Sequence, residues 1–300
     1  MHDSIRSGRR ALALAQESKS VWVQILSTTY LARGLLEAGA NEEALELMQH
    51  TRALVQTLPQ GIILHRFLTS LGSVYHAMQQ WDEAGRTLAE AEAVAERLDF
   101  GLFHVSALSR LCMHYAEAGE WAAAYRFVLK AISLRKGTEV ALVALDFFPQ
   151  YETEALLRGG DERQARTDVQ RLGERLGRYQ RFRIPYLRSL AVLFTWEGQS
   201  EQAISSLLEA AGLATDLGLP AEQWQIQAAL ARVYEAGGEP VQAHRAWAKA
   251  STIIQGLAQG IRDEPLRTRF LAGPQIQPVL QQVQGETSQG SHDHQEQTEQ

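Results

Sequence analysis

Residues 65–98 read HRFLTSLGSVYHAMQQWDEAGRTLAEAEAVAERL. Leu68, Leu71, Gly72 and Tyr75 recur at helical spacing, and after a short break Ala84, Leu88 and Ala91 do the same. Residues three and four apart share one side of an α-helix, so the stretch predicts two helices joined by a corner and packed against each other. Leu71 and Gly72 fall on the face that meets the second helix. A small residue there, with Ala84 and Ala91 opposite, lets the two backbones approach at the short end of the usual separation of about 8–10 Å.

The pattern repeats along the chain. The small residue of the second helix falls at Ala44, Ala84, Ala124, Ala165, Ala203 and Ala243, with successive differences of 40, 40, 41, 38 and 40. A hairpin of this kind cannot bury its apolar face alone, so neighbours stack and extend one core. The expected fold is all-α: a right-handed solenoid of about six antiparallel helix pairs with a C-terminal capping helix. Residues 1–18 read as a partial repeat helix, 19–260 as six tandem hairpins of about 40 residues, 261–284 as a capping segment and 285–300 as a disordered polar tail. Asn41 and Asp82 are expected to cap second helices and Asp263 the short helix of the capping segment. The fourth unit departs from the pattern: Glu152 and Thr153 stand where Leu and a small residue occur elsewhere, and Pro149 is expected to interrupt its first helix.

Composition narrows the function. A net charge of −6 argues against a general nucleic-acid binder. With Cys112 as the single cysteine, no internal disulfide or four-thiolate metal site can form. No apolar run reaches the ~18 residues that cross a membrane, and the N-terminus lacks the apolar core of a secretory signal. These features read as a reduced, cytoplasmic setting. No phosphate-binding loop, nucleophile elbow or His-Glu-x-x-His pair is present. His65, His76, His104 and His114 lie on first helices without metal-ligand spacing, so no metal, no cofactor and no enzymatic activity are expected. Cys112 takes the small inward position held by Gly72 and Ala32 elsewhere, which makes it a packing residue.

The roughly 40-residue period, the Gly39-to-Ala44 and Gly198-to-Ala203 corners and the terminal IRDEPLRTRFLAGP carry a resemblance. Residues 3–284 resemble the tetratricopeptide-like arrays that end bacterial maltose-activator-type regulators and large signalling ATPases. The resemblance implies a sensor or interaction arm that binds a protein or peptide partner. Two alternatives accompany it: a sensor of a small-molecule inducer, and a regulatory module for a separate ATPase or DNA-binding effector.

In such solenoids the first helices line the concave face. By register its exposed positions include Arg33, Arg66, Ser73, His76, Arg110, Arg188, Arg232 and Glu235, a mixture suited to an acidic segment. A second candidate surface is 158–188, where nine arginines face four acids. Arg171, Arg175 and Arg178 fall on one stripe of that stretch. A solvated outer face explains it; a docking patch for an acidic partner or nucleic acid is the sharper reading.

Overall fold

The computed structural model of the protein describes residues 2–56, 61–98, 101–135, 148–175 and 180–283. Among these residues there is no strand. The helices are α1 His2–Glu17, α2 Val21–Glu37, α3 Asn41–Val55, α4 Ile62–Ala77, α5 Trp81–Leu98, α6 Gly101–Glu117, α7 Trp121–Arg135, α8 Pro149–Arg158, α9 Glu162–Arg175, α10 Gln180–Trp196, α11 Ser200–Asp216, α12 Pro220–Ala236, α13 Pro240–Gln259 and α14 Glu264–Leu271. Six hairpins, from α2–α3 to α12–α13, stack as a right-handed solenoid, with α1 packed on α2 and α14 following α13.

Each corner has one design. The second residue after the first helix adopts positive φ: Gly39, Gly119, Gly160, Gly198 and Gly238 lie between 73° and 85°, and Gln79 at 59°. This left-handed conformation lets two backbone N–H groups turn back onto the helix end, satisfying carbonyls that would otherwise be orphaned. At the first corner Ala40 N–H donates to Leu35 O at 2.9 Å and Gly39 N–H to Leu36 O at 3.0 Å. The other five corners repeat the pair.

That design moves the helix starts. Asn41 is the first helical residue of α3, and its Ncap is Ala40, without a side-chain cap. Asp82 lies one residue inside α5 and serves only as a first-turn acid. Asp263 does cap: its carboxylate accepts from the Leu266 N–H at 2.8 Å. Pro149 opens α8 instead of interrupting a helix, at a position that has no intrahelical N–H to lose. The first residues assigned to the fourth unit, Arg178 and the tail 285–300 lie outside the described residues.

The central hairpin packs as its sequence requires. Leu71, Ala84, Leu88 and Ala91 are buried. A Cβ built on Gly72 would sit 2.6 Å from Leu88 Cδ2 and 2.7 Å from Leu88 Cγ. Gly72→Leu is therefore expected to cost ~1–3 kcal/mol by overpacking, read as a lower urea midpoint. Cys112 is fully buried beside Ala124, Val128 and Leu156, and burial pushes its thiol well up.

Candidate binding site

The stack closes on itself. α12 returns to contact α2, so the last repeats meet the first. Leu257 of α13 and Pro220 of α12 press on the first corner, where a Cβ on Gly39 would lie 2.4 Å from Leu257 Cδ2. The segment after α13 crosses the neighbouring corners. The buried carboxylate of Glu42 accepts the backbone N–H groups of Arg262 and Asp263, both at 2.9 Å. Gln275 N–H donates to Gln79 Oε1 at 3.3 Å, and Gln275 Nε2 donates to the Glu117 carbonyl at 2.6 Å.

Closure forms a central chamber of about 230 Å³ that opens to solvent. The C-terminal halves of α2, α4 and α6 form one side of it, and the N-terminal halves of α8, α10 and α12 the other. Phe270, Gln275 and Ile276 from the C-terminal segment complete the wall. The space holds on the order of eight waters.

Charged groups in the wall tie the helices together in two clusters. On one side His76 Nε2 of α4 lies 2.9 Å from Glu117 Oε2 of α6, and the Tyr151 hydroxyl of α8 donates to the other Glu117 oxygen. On the other side Arg188 lies 2.6 Å from Glu222, and Arg181 lies 3.0 Å from Glu222 and 3.4 Å from Glu37 of α2. Burial acts to raise the Glu117 carboxyl. The His76 imidazole, the Tyr151 hydroxyl and the more distant Arg188 outweigh it and hold the group below its ordinary range. Burial and the Glu117 carboxylate push Tyr151 well up. In Glu222 the burial effect is likewise outweighed, by Arg188 and Arg181.

Behind this wall the His114 ring packs tilted against Trp81, which also meets the His76 ring edge-on. Burial and the neighbouring His76 bring the His114 pKa from 6.5 down to about 4. The unfolded chain therefore takes up a proton near pH 6.5 that the fold accepts only near 4. Stability is expected to fall as pH drops through that window. Glu117 and Glu222, with lowered values, continue the loss at more acid pH. Urea midpoints measured from pH 7.5 to 4 check this, and His114→Leu should flatten the 6.5-to-4 limb.

Five of the eight concave-face residues expected from register line the chamber: Arg33, Ser73, His76, Arg110 and Arg188. They are less exposed than expected. His76, Arg110 and Arg188 are buried, because closure covers a face that an open solenoid leaves to water. Arg110 Nε donates to Ser73 Oγ at 2.8 Å. Arg66, Arg232 and Glu235 lie away from the chamber: Arg66 donates to the Tyr30 hydroxyl, Arg232 stacks over Trp247, and Glu235 accepts from the Trp247 indole.

The arginine-rich stretch is largely matched by acids. Arg158 pairs with Glu154, Arg166 with Glu162 and Glu197, and Arg183 with Glu209. Arg171 and Arg175 are exposed on α9, away from the chamber. Register alone also missed several wall residues. Asn41 and Gln150 line the chamber, are nine-tenths buried, and have side-chain carbonyl oxygens with no hydrogen-bond partner. Departures from the repeat were the available signal: Gln79 replaces a corner glycine, and Asn41 stands at a helix start without capping it. Among the described residues, Glu92, Glu96 and His104 could converge on a cation. The Lys130 ammonium sits among them instead, 2.6 Å from Glu92 and 3.0 Å from Glu96.

Solved structures share this architecture. The Rap protein complexed with Competence and Sporulation Factor aligns over 98% of this chain and 91% of that chain, with a TM-score of 0.61 and 12% identity. The fold is a tetratricopeptide-like solenoid. A chain of the APC/C hetero-tetramer Cut9-Hcn1 aligns with a TM-score of 0.52 and 17% identity, over 86% of this solenoid and 49% of that chain. BtubC from P. vanneervenii covers 88% of the solenoid and 94% of its own length at 16% identity, with a TM-score of 0.40. No protein-family model and no curated protein matches the solenoid. No helix among the described residues is long and apolar enough to cross a membrane.

Proposed function

We propose that the solenoid is a binding protein that holds a short segment of a peptide partner in its central chamber. The observation that carries this is the pair of unpartnered carboxamide oxygens, of Asn41 and Gln150, in the chamber wall. Buried polar groups are ordinarily satisfied. A carboxamide oxygen is an acceptor, which matches the backbone N–H of an extended peptide. The apolar wall around them, including Met113, Phe182 and Trp224, suits side chains. The structural relative complexed with Competence and Sporulation Factor supports a ligand-holding role for this architecture.

The chamber volume favours a second reading, a small-molecule inducer, since about eight waters correspond to roughly as many ligand heavy atoms. The finer placement, as the sensor arm of a bacterial regulator of the maltose-activator type, rests on the sequence resemblance. So does control of a separate ATPase or DNA-binding effector.

A thermal-shift screen with pooled random tri- to hexapeptides and a metabolite panel separates the readings, with titration calorimetry on the hits. Asn41→Ala and Gln150→Ala are each expected to weaken a peptide hit about tenfold. Both should leave stability unchanged or raised, because each removes an unsatisfied polar atom. Peptide affinity unchanged in both variants would sink the peptide reading, and hits confined to metabolites would favour the inducer.

A further inference from the structure

We propose that the peptide partner continues out of the chamber along the N-terminal halves of α2 and α4. There an acidic side chain of the peptide meets Arg66, and apolar ones meet Trp22, Tyr30 and Ile62. This rests on the chamber being the binding site for the rest of that peptide.

The chamber takes only a fraction of a peptide. It holds on the order of eight water-sized atoms, the bulk of a single amino-acid residue. It opens to solvent, so the remaining residues lie on the surface that adjoins its mouth.

Helical spacing carries two rows of side chains from the chamber onto that surface. Trp22, Leu26, Tyr30, Arg33 and Glu37 follow one another at three and four residues on one face of α2, and Arg33 and Glu37 line the chamber. Ile62, Arg66, Thr69, Ser73 and Ala77 do the same on α4, where Ser73 and Ala77 line it. α2 packs on α4, and the rows are joined outside the chamber. Arg66 donates to the Tyr30 hydroxyl at 2.7 Å, and its guanidinium carbon lies 5.1 Å from the Tyr30 ring centre.

The outer part of these rows is apolar and open. Trp22 is 52% exposed, Tyr30 49% and Ile62 45%. Exposed apolar groups gathered together mark a contact surface, where single scattered ones do not. Arg66 sets the charge preference. Among the described residues no carboxylate pairs with it, whereas Arg33 and Arg181 in the chamber are matched by Glu37. The bond to Tyr30 leaves most of its N–H donors for a carboxylate of the partner, which a guanidinium binds in a two-pronged fashion. Ser73 and Arg66 are seven positions apart on α4, about 10 Å along the helix. An extended chain spans that distance in about three residues.

A phage library of random heptapeptides selected on the whole chain tests this, with titration calorimetry on the enriched sequences. These are expected to share an Asp or Glu and at least one aromatic or aliphatic residue. Arg66→Glu should weaken them about tenfold, and exchanging the peptide's acid for Lys should recover most of that loss in this variant and not in the parent. Ile62→Ser should weaken them several-fold. Neither position is buried, so the urea midpoint should not move. Peptides weakened by Asn41→Ala or Gln150→Ala but indifferent to Arg66→Glu and Ile62→Ser would overturn the continuation and leave the chamber standing. Peptides indifferent to both carboxamide variants would overturn the chamber reading, and the continuation with it. So would a selection that enriches no peptide.

Discussion

Arg135→Ala is expected to destabilise the solenoid by about 3 kcal/mol, while Arg135→Leu combined with Glu152→Leu costs nothing or stabilises by ~1–4 kcal/mol. In five repeats the position thirteen residues before the small Ala is leucine: Leu31, Leu71, Leu111, Leu190 and Leu230. In the fourth it is Glu152, whose side chain is 4% exposed and bound by both terminal nitrogens of Arg135 at 2.8 Å. Removing Arg135 leaves that carboxylate buried without its partner. Such losses run to ~3–5 kcal/mol, and the lower end applies here because the Arg135 side chain is 23% exposed. Replacing both restores the leucine of the other repeats and removes two desolvated charges. Urea unfolding of the two variants decides the matter. Equal destabilisation of both would show that the pair is not what holds the fourth repeat.

Gly39→Ala should cost ~2–5 kcal/mol and Gly198→Ala only ~1–2 kcal/mol, though the two sit at equivalent corners. Both glycines have positive φ, 79° and 74°, where an added Cβ strains the backbone. Around Gly198 nothing lies within 4 Å of that Cβ. At Gly39 it meets Leu257 Cδ2 at 2.4 Å and Pro220 Cγ at 3.1 Å. Leu257 is itself buried and has little room to swing away. The difference between the variants is thus the cost of pushing the last repeats off the first. Denaturant midpoints that agree within ~0.5 kcal/mol would show that the two ends do not press on each other.

The helical hairpins and their period were legible because each repeat is held by local contacts. Leu71, Gly72, Ala84 and Leu88 lie within eighteen residues, and spacing alone places them. Closure was not legible, because it joins residues 220 apart by contacts that do not recur. Glu42 reads as an ordinary first-turn acid, yet it receives the backbone of Arg262 and Asp263. Register put Arg33, Ser73, His76, Arg110 and Arg188 on the inner face, since that depends only on helical geometry. It could not tell that the face is covered, nor that Arg188 meets Glu222 on the first helix of the next repeat. The misplaced caps at Asn41 and Asp82 have a local cause. The left-handed corner supplies the turn from backbone bonds alone, so the helix begins without a capping side chain.

Joining the first and last repeats also changes how the chain comes apart. A linear repeat array touches only its neighbours, so its terminal units loosen first and order is lost inward from the ends. Here Ile25, Leu35 and Met48 near one terminus share a core with Ile254, Phe270 and Val279 near the other. Each terminal repeat therefore has neighbours on both sides. The cooperative unit becomes the whole circle, and completing it requires a contact of very long sequence separation, a topology that slows folding relative to a linear array.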